Sequence, residues 1–160
     1  MFYSSGLLGN EEAVKEKLEQ LRKVKEGILS SQELANLITQ RRMAWIDKNL
    51  SEMLVKYNGL SPEEKAHRIV FLEHMGINPA HSEIERISPN KIRIKSHNFC
   101  PYLEACKQLG LETESVCREI GEPSLQEMLK RINPNLKFSR NYKNIRPRSH
   151  FCEEFVEILR

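Results

Sequence analysis

Ser96-His97-Asn98-Phe99-Cys100-Pro101-Tyr102-Leu103-Glu104-Ala105-Cys106-Lys107-Gln108-Leu109-Gly110 changes its period partway along, and that change decides the fold. Just before it, Ile92 and Ile94 alternate with Arg93 and Lys95, the two-residue period of a half-buried strand. Within it, Pro101 takes the first-turn slot of a helix, where a missing N–H costs nothing, and Gly110 stops that helix. A strand therefore feeds a helix through Cys100. Upstream, Ser82–Ile87 reads as the partner strand, joined by a Pro89-Asn90 turn into a hairpin.

Working outward toward the C-terminus, a short helix is expected over about 113–120. Ser124-Leu125-Gln126-Glu127 reads as a capping box opening a helix to about Ile132, and Asn133-Pro134-Asn135 breaks it. Strands are expected over 136–143 and over Phe151–Ile158. Toward the N-terminus the period is helical. Asn10 is placed to cap a helix over about 11–28. Ser30-Ser31-Gln32-Glu33 caps a long helix to about Tyr57, with Gln40-Arg41-Arg42 as a polar interruption of its apolar stripe. Ser61-Pro62-Glu63-Glu64 starts a third helix, to Met75, that carries His67 and His74 as structural or exposed residues.

The expected fold is α+β. An N-terminal helical half (1–78) packs on a small antiparallel sheet of two hairpin-like strand pairs with short helices between them (79–160), together forming one domain. The apolar content of 39% over 160 residues suits a globular chain rather than a disordered one. No apolar run approaches the roughly 20 residues that span a bilayer, so no membrane role is expected. The opening residues have no basic run before an apolar one, so the chain is expected in the cytoplasm. Thiols stay mostly reduced there, and the four cysteines then point to metal binding, catalysis or packing before disulfides.

Two of these chemistries can be built on Cys100. A thiolate at a helix start feels the positive end of the dipole, which favours a nucleophile, and His97 lies close enough in sequence to act as its base. The alternative is a small apolar residue at a tight junction. A zinc or iron–sulfur site is the second chemistry. No C-x2-C pair occurs, so tertiary folding would have to gather Cys100, Cys117 and Cys152 with Cys106, His97 or His150. Cys106 lies along a face with Leu103 and Leu109, which favours core packing. Cys152 shares strand parity with Val156 and Ile158.

Lys130, Arg131, Lys137, Arg140, Lys143, Arg146 and Arg148, with Phe138 and Tyr142 among them, would suit a single-stranded nucleic acid or an anion. A solvated basic face is the preferred reading of this run. The first helices are read as ordinary surface helices or, less favoured, as a homodimer contact.

The runs F-C-P-Y-L-E-A-C-K-Q-L-G (99–110), V-C-R (116–118), I-N-P-N-L-K-F-S-R-N-Y (132–142) and H-F-C-E-E-F (150–155) resemble the L-2-amino-thiazoline-4-carboxylic acid hydrolase-like family. More distantly they are similar to small-ligand-binding domains of the four-vinyl reductase type. The resemblance covers roughly residues 80–158. It implies a pocket for a small molecule near the cysteines, and hydrolytic opening of a thiazoline or amide-like substrate. Cys100 would be the nucleophile, His97 or His150 the acid/base, and Arg140 with Tyr142 the substrate-binding residues.

Overall fold

The computed structural model describes residues 7–160, and in it the chain is α+β: helices pack on one face of a four-stranded antiparallel sheet. Helices α1 (Leu7–Lys25) and α2 (Ser31–Lys56) come first, followed by α3 (Pro62–Ala66), which runs on as a wider π-type helical stretch over His67–His74. Strands β1 (Ser82–Ser88) and β2 (Lys91–Ser96) form the expected hairpin. Then come α4 (Pro101–Leu109), α5 (Thr113–Val116) with its π-type extension Cys117–Gly121, α6 (Glu122–Ile132), β3 (Leu136–Asn141) and β4 (Cys152–Ile158). The strand order is β1-β2-β4-β3, so the last strand enters between the hairpin and β3.

Alternation fills the inner face. Ile92 and Ile94 of β2, Leu136 and Phe138 of β3, and Val156 of β4 are buried against Phe71, Met128, Leu129 and Ile46 from the helices. This core draws on both halves of the sequence. The outer face carries cross-strand charges, with Arg93 of β2 held between Glu85 of β1 and Glu153 of β4. A second cluster joins Leu21 of α1, Leu34 and Ile38 of α2, Tyr102 and Cys106 of α4, and Ile120. The inner face of α1 is thus used within the chain.

Local signals held where they closed a hydrogen bond. Ser30 and Glu33 form the reciprocal capping box, and Ser61 accepts from the Glu64 N–H. Gly110 adopts φ 67° at the end of α4, a conformation a side chain would strain. Elsewhere the signal misled. The first helix begins at Leu7, so Asn10 lies inside it rather than at its cap. Ser124 does not cap α6, which starts at Glu122; its hydroxyl donates to the Gly121 carbonyl instead. β3 stops at Asn141 because the Asn141 side chain accepts from the Lys143 N–H and turns Tyr142–Asn144 into a single 3-10 turn. Arg42 is no polar break in α2 but part of its buried stripe, between Ile38 and Ile46.

His67 and His74 are both buried. His67 Nε2 meets Ser82 Oγ at 2.9 Å and its Nδ1 meets Arg68 at 3.0 Å. Burial, then the Arg68 charge, lowers His67 to about 4. Burial, then Arg42, lowers His74 to about 3. The unfolded chain therefore takes up protons first, from its ordinary value near 6.5 downward. Their contribution is complete above that value and fades as the pH falls through it toward 4. Urea midpoints should drop between pH 6.5 and 5, and a His67→Gln variant should drop less over the same interval.

Candidate functional site

The inner face of the sheet changes chemistry toward one end. Ser96 of β2 stands opposite Cys152 of β4, and Arg140 of β3 stands opposite Glu154 of β4. These four polar or sulfur-bearing side chains continue the rows that carry Ile92, Phe138 and Val156 further along the sheet. A cavity of about 100 Å³ opens over them. It is closed by Arg42 of α2, Phe71 and Met75, the 98–102 turn, Cys117, Glu122 and Leu125, and Arg146.

The structure brings Cys100, Cys117, Cys152 and Arg140 to this one cavity. Cys106 does not line it; that thiol is buried in the helical cluster with Leu21 and Ile38. His97 is exposed, 3.8 Å from Glu83 Oε1 and with its ring tilted 58° against that of His81, and His150 is exposed on the loop before β4; neither lines the cavity. Tyr142 also stands outside the lining and acts through Glu122, to which its hydroxyl donates. The acid/base histidines expected from sequence thus stand outside it: His97 directly follows β2 and His150 lies in the loop before β4.

Burial pushes three of the thiols, Cys100, Cys106 and Cys117, upward. The N–H groups of Leu103 and Tyr102 and the Arg146 charge all favour a Cys100 thiolate, but burial is the larger influence and pushes the thiol up. The sulfur makes no capping hydrogen bond to α4. The thiol lowered by a helix dipole, expected from sequence, is therefore reversed by desolvation. Burial likewise pushes Cys117 up, and Cys106 to about 11. Cys152 sits beside Arg146, whose Nε donates to Sγ at 3.3 Å and whose backbone N–H reaches it at 3.5 Å. Among the described residues no group of three or more His, Cys, Asp or Glu side chains is arranged to hold a metal ion. The set Cys100, Cys106, Cys117 and Cys152 fails as a zinc or iron–sulfur cage because Cys106 belongs to the core.

Charge in the cavity is paired unevenly. Arg140 has a side chain only 8% exposed; its Nη2 lies 3.4 Å from Glu154 Oε2 and its Nε 3.9 Å from Glu122 Oε2. Burial raises the Glu122 carboxyl above its usual range, against the pull of Arg140. Arg42, by contrast, is 4% exposed and forms no ion pair with an acid among the described residues, and its Nη1 has no hydrogen-bond partner. Three further buried atoms lack partners at the same cavity: Ser96 Oγ, Asn98 Oδ1 and Arg140 Nε.

Arg42, Ser96 and Glu122 were missed by sequence reasoning. The signal for Arg42 was present: it falls four residues after Ile38 and four before Ile46, on the buried face of α2. Most of the basic run is spoken for. Arg131 pairs with Asp47 at 2.8 Å, Arg148 with Glu114 at 3.3 Å, and Arg140 and Arg146 turn inward.

Replacing Arg140 by Met strands the buried Glu154 carboxylate and the half-buried Glu122, a change that costs on the order of 3 kcal/mol. The loss should be greater at pH 7.5 than at pH 5.5, where carboxyl protonation relieves it, as read by chemical denaturation at the two pH values.

No helix among the described residues is long and apolar enough to cross a membrane. Against models of protein families, curated proteins and solved structures, the chain gives no match, so the reading of this site rests on its geometry.

Proposed function

We propose that this chain is a small-ligand-binding protein whose cavity receives one compact polar molecule with an apolar body. The observation that carries the reading is the convergence of unpaired buried atoms. The four residues whose Arg42 Nη1, Ser96 Oγ, Asn98 Oδ1 and Arg140 Nε are buried without a partner all line the same cavity. A buried polar atom left unbonded costs about 1–3 kcal/mol, and most in native proteins find a partner. A ligand offering donors and acceptors recovers that cost, while Phe71, Met75, Leu125 and Pro101 supply apolar walls.

The thiazoline or amide-like hydrolase implied by the resemblance fits into this reading as its catalytic form. Cys100 at the start of α4 is the candidate nucleophile: its sulfur adds to the carbon between sulfur and nitrogen of a bound ring, the ring C–S bond breaks as the ring sulfur leaves with the thiol proton, and one water then releases the carbamoyl product and restores the Cys100 thiol. With His97 and His150 outside the cavity, Glu122 is the titratable group placed to move the proton. Its raised carboxyl lies nearer neutrality than an ordinary glutamate, as a general acid/base requires.

The test uses thiazole-4-carboxamide, a compact polar heterocycle whose aromatic ring resists hydrolytic opening. Saturating amounts should raise the melting temperature by several degrees and slow iodoacetamide labelling of Cys100 and Cys117. Unchanged melting and unchanged labelling at millimolar probe would sink the binding reading. For the catalytic form, mass spectrometry of 2-amino-2-thiazoline incubations should show a mass gain of one water. Cys100→Ala should abolish that gain while the protein still folds, and a gain that survives the substitution would remove Cys100 from the chemistry.

A further inference from the structure

We infer that Cys152 is an oxidation site: hydrogen peroxide entering the cavity converts its thiol to a sulfenic acid, a step that Arg146 promotes and whose product Ser96 holds. The inference goes beyond the ligand reading and needs no ligand besides the peroxide. Cys152 Sγ accepts two N–H groups from one residue, Arg146 Nε at 3.3 Å and the Arg146 backbone N–H at 3.5 Å. A neutral thiol is a weak acceptor, whereas a thiolate draws a guanidinium N–H into a charge-assisted bond. The same guanidinium donates to the Asn98 carbonyl, which ties it to the turn after β2. Glu154, the acid two residues along the same face of β4, is engaged by Arg140, so the Arg146 charge is left to the sulfur.

Ser96 supplies a second, independent observation. It stands directly opposite Cys152 in the β2–β4 pairing, is only 2% exposed, and has an Oγ with no hydrogen-bond partner. Side chains directly opposite in an antiparallel pair have Cβ atoms about 4.5–5.5 Å apart, so an oxygen added to Sγ comes within reach of that hydroxyl. A buried hydroxyl left unbonded is costly, and the sulfenic oxygen relieves it. Both residues line the cavity of about 100 Å³. One water needs only ~10–15 Å³ of such space, so a two-oxygen molecule has room. The other ionisable or thiol groups of the lining do not compete. Arg140 pairs with Glu154 and lies near Glu122, and burial pushes the Cys100 and Cys117 thiols up, which disfavours the thiolate that attacks a peroxide.

The step balances with peroxide alone. The Cys152 sulfur attacks one peroxide oxygen, an S–O bond forms and the O–O bond breaks. The departing oxygen takes the thiol proton and leaves as water. Sulfur is oxidised by two electrons and the peroxide is reduced by two.

The experiment exposes the full chain to hydrogen peroxide, quenches with catalase, traps sulfenic acid with dimedone and locates the adduct by peptide mass spectrometry. The adduct should form on Cys152 about tenfold or more faster than on Cys100 or Cys117, the ratio that one pKa unit of difference gives. Arg146→Gln removes a charge-assisted bond and should slow the adduct about tenfold, with the pH of half-maximal rate raised by about one unit. Arg146→Lys, which keeps the charge, should recover part of the rate. Ser96→Ala should shorten the life of the acid about threefold or more, as read by delaying dimedone after the quench. Cys100→Ser and Cys117→Ser repeat the labelling without the thiol that could condense with the acid before dimedone reaches it. Melting curves establish that each variant is folded; should Arg146→Gln not fold, Arg146→Lys and the wild-type order of labelling decide. An adduct that forms first on Cys100 or Cys117 overturns the inference, as does the absence of any on Cys152 at millimolar peroxide in the wild type and both serine variants. So does an Arg146→Gln variant oxidised at the wild-type rate with an unchanged pH dependence. An acid as long-lived in Ser96→Ala as in the wild type removes Ser96 from the site. Failure of thiazole-4-carboxamide to bind leaves the inference standing.

Discussion

The antiparallel register of β2, β4 and β3 is the constraint on which the rest of the molecule depends. It sets Ile92 beside Val156 and Val156 beside Phe138, and by the same pairing sets Arg140 beside Glu154 and Ser96 beside Cys152. A slip of one residue would turn every one of these side chains to the opposite face. The register is secured by the apolar half of each row, which must be buried, and the polar half is carried inside with it. Outer-face charges support the same choice, since Lys91 and Lys137 both stand opposite Glu157 and Arg93 reaches Glu153.

A buried polar end is expensive, and the chain handles the expense in two ways. At the sheet, Arg140 shares two carboxylates, and Tyr142 donates to one of them from outside the cavity. At the helices Arg42 lies near Lys17 and His74, and burial, then the Arg42 charge, lowers the basicity of both. Functional sites are where a fold tolerates such conflict, because the ligand resolves it. The cysteines follow the same rule in reverse. Desolvation outweighs the start of α4 and pushes the Cys100 thiol up.

Legibility varied with the kind of signal. The hairpin, the Ser30–Glu33 box, the Gly110 stop and the α+β arrangement were open to reading because each is a matter of near neighbours. Asn10 and Ser124 looked like caps and are not, since both helices start upstream of them. Tyr142 was assigned to a strand by parity, but an Asn141 side chain ended the strand first. Arg42 was passed over as one of three polar residues, although its four-residue spacing from Ile38 and Ile46 marked it as inward. His97 and His150 were chosen for closeness in sequence to cysteines, and closeness in sequence does not fix which way a turn faces.

The sequence by itself determined the elements, their inner faces and the gathering of thiols on the later half of the chain, because periodicity and capping act over a few residues. Only the tertiary structure decided that Cys117 on a helix and Cys152 on a strand share a wall with Cys100, that Cys106 does not, and that Arg42 faces them from α2. Those choices follow from how three layers of side chains fill one space. Burial, which pushes the Cys100, Cys106 and Cys117 thiols up, is a property of that packing and is written in no local pattern.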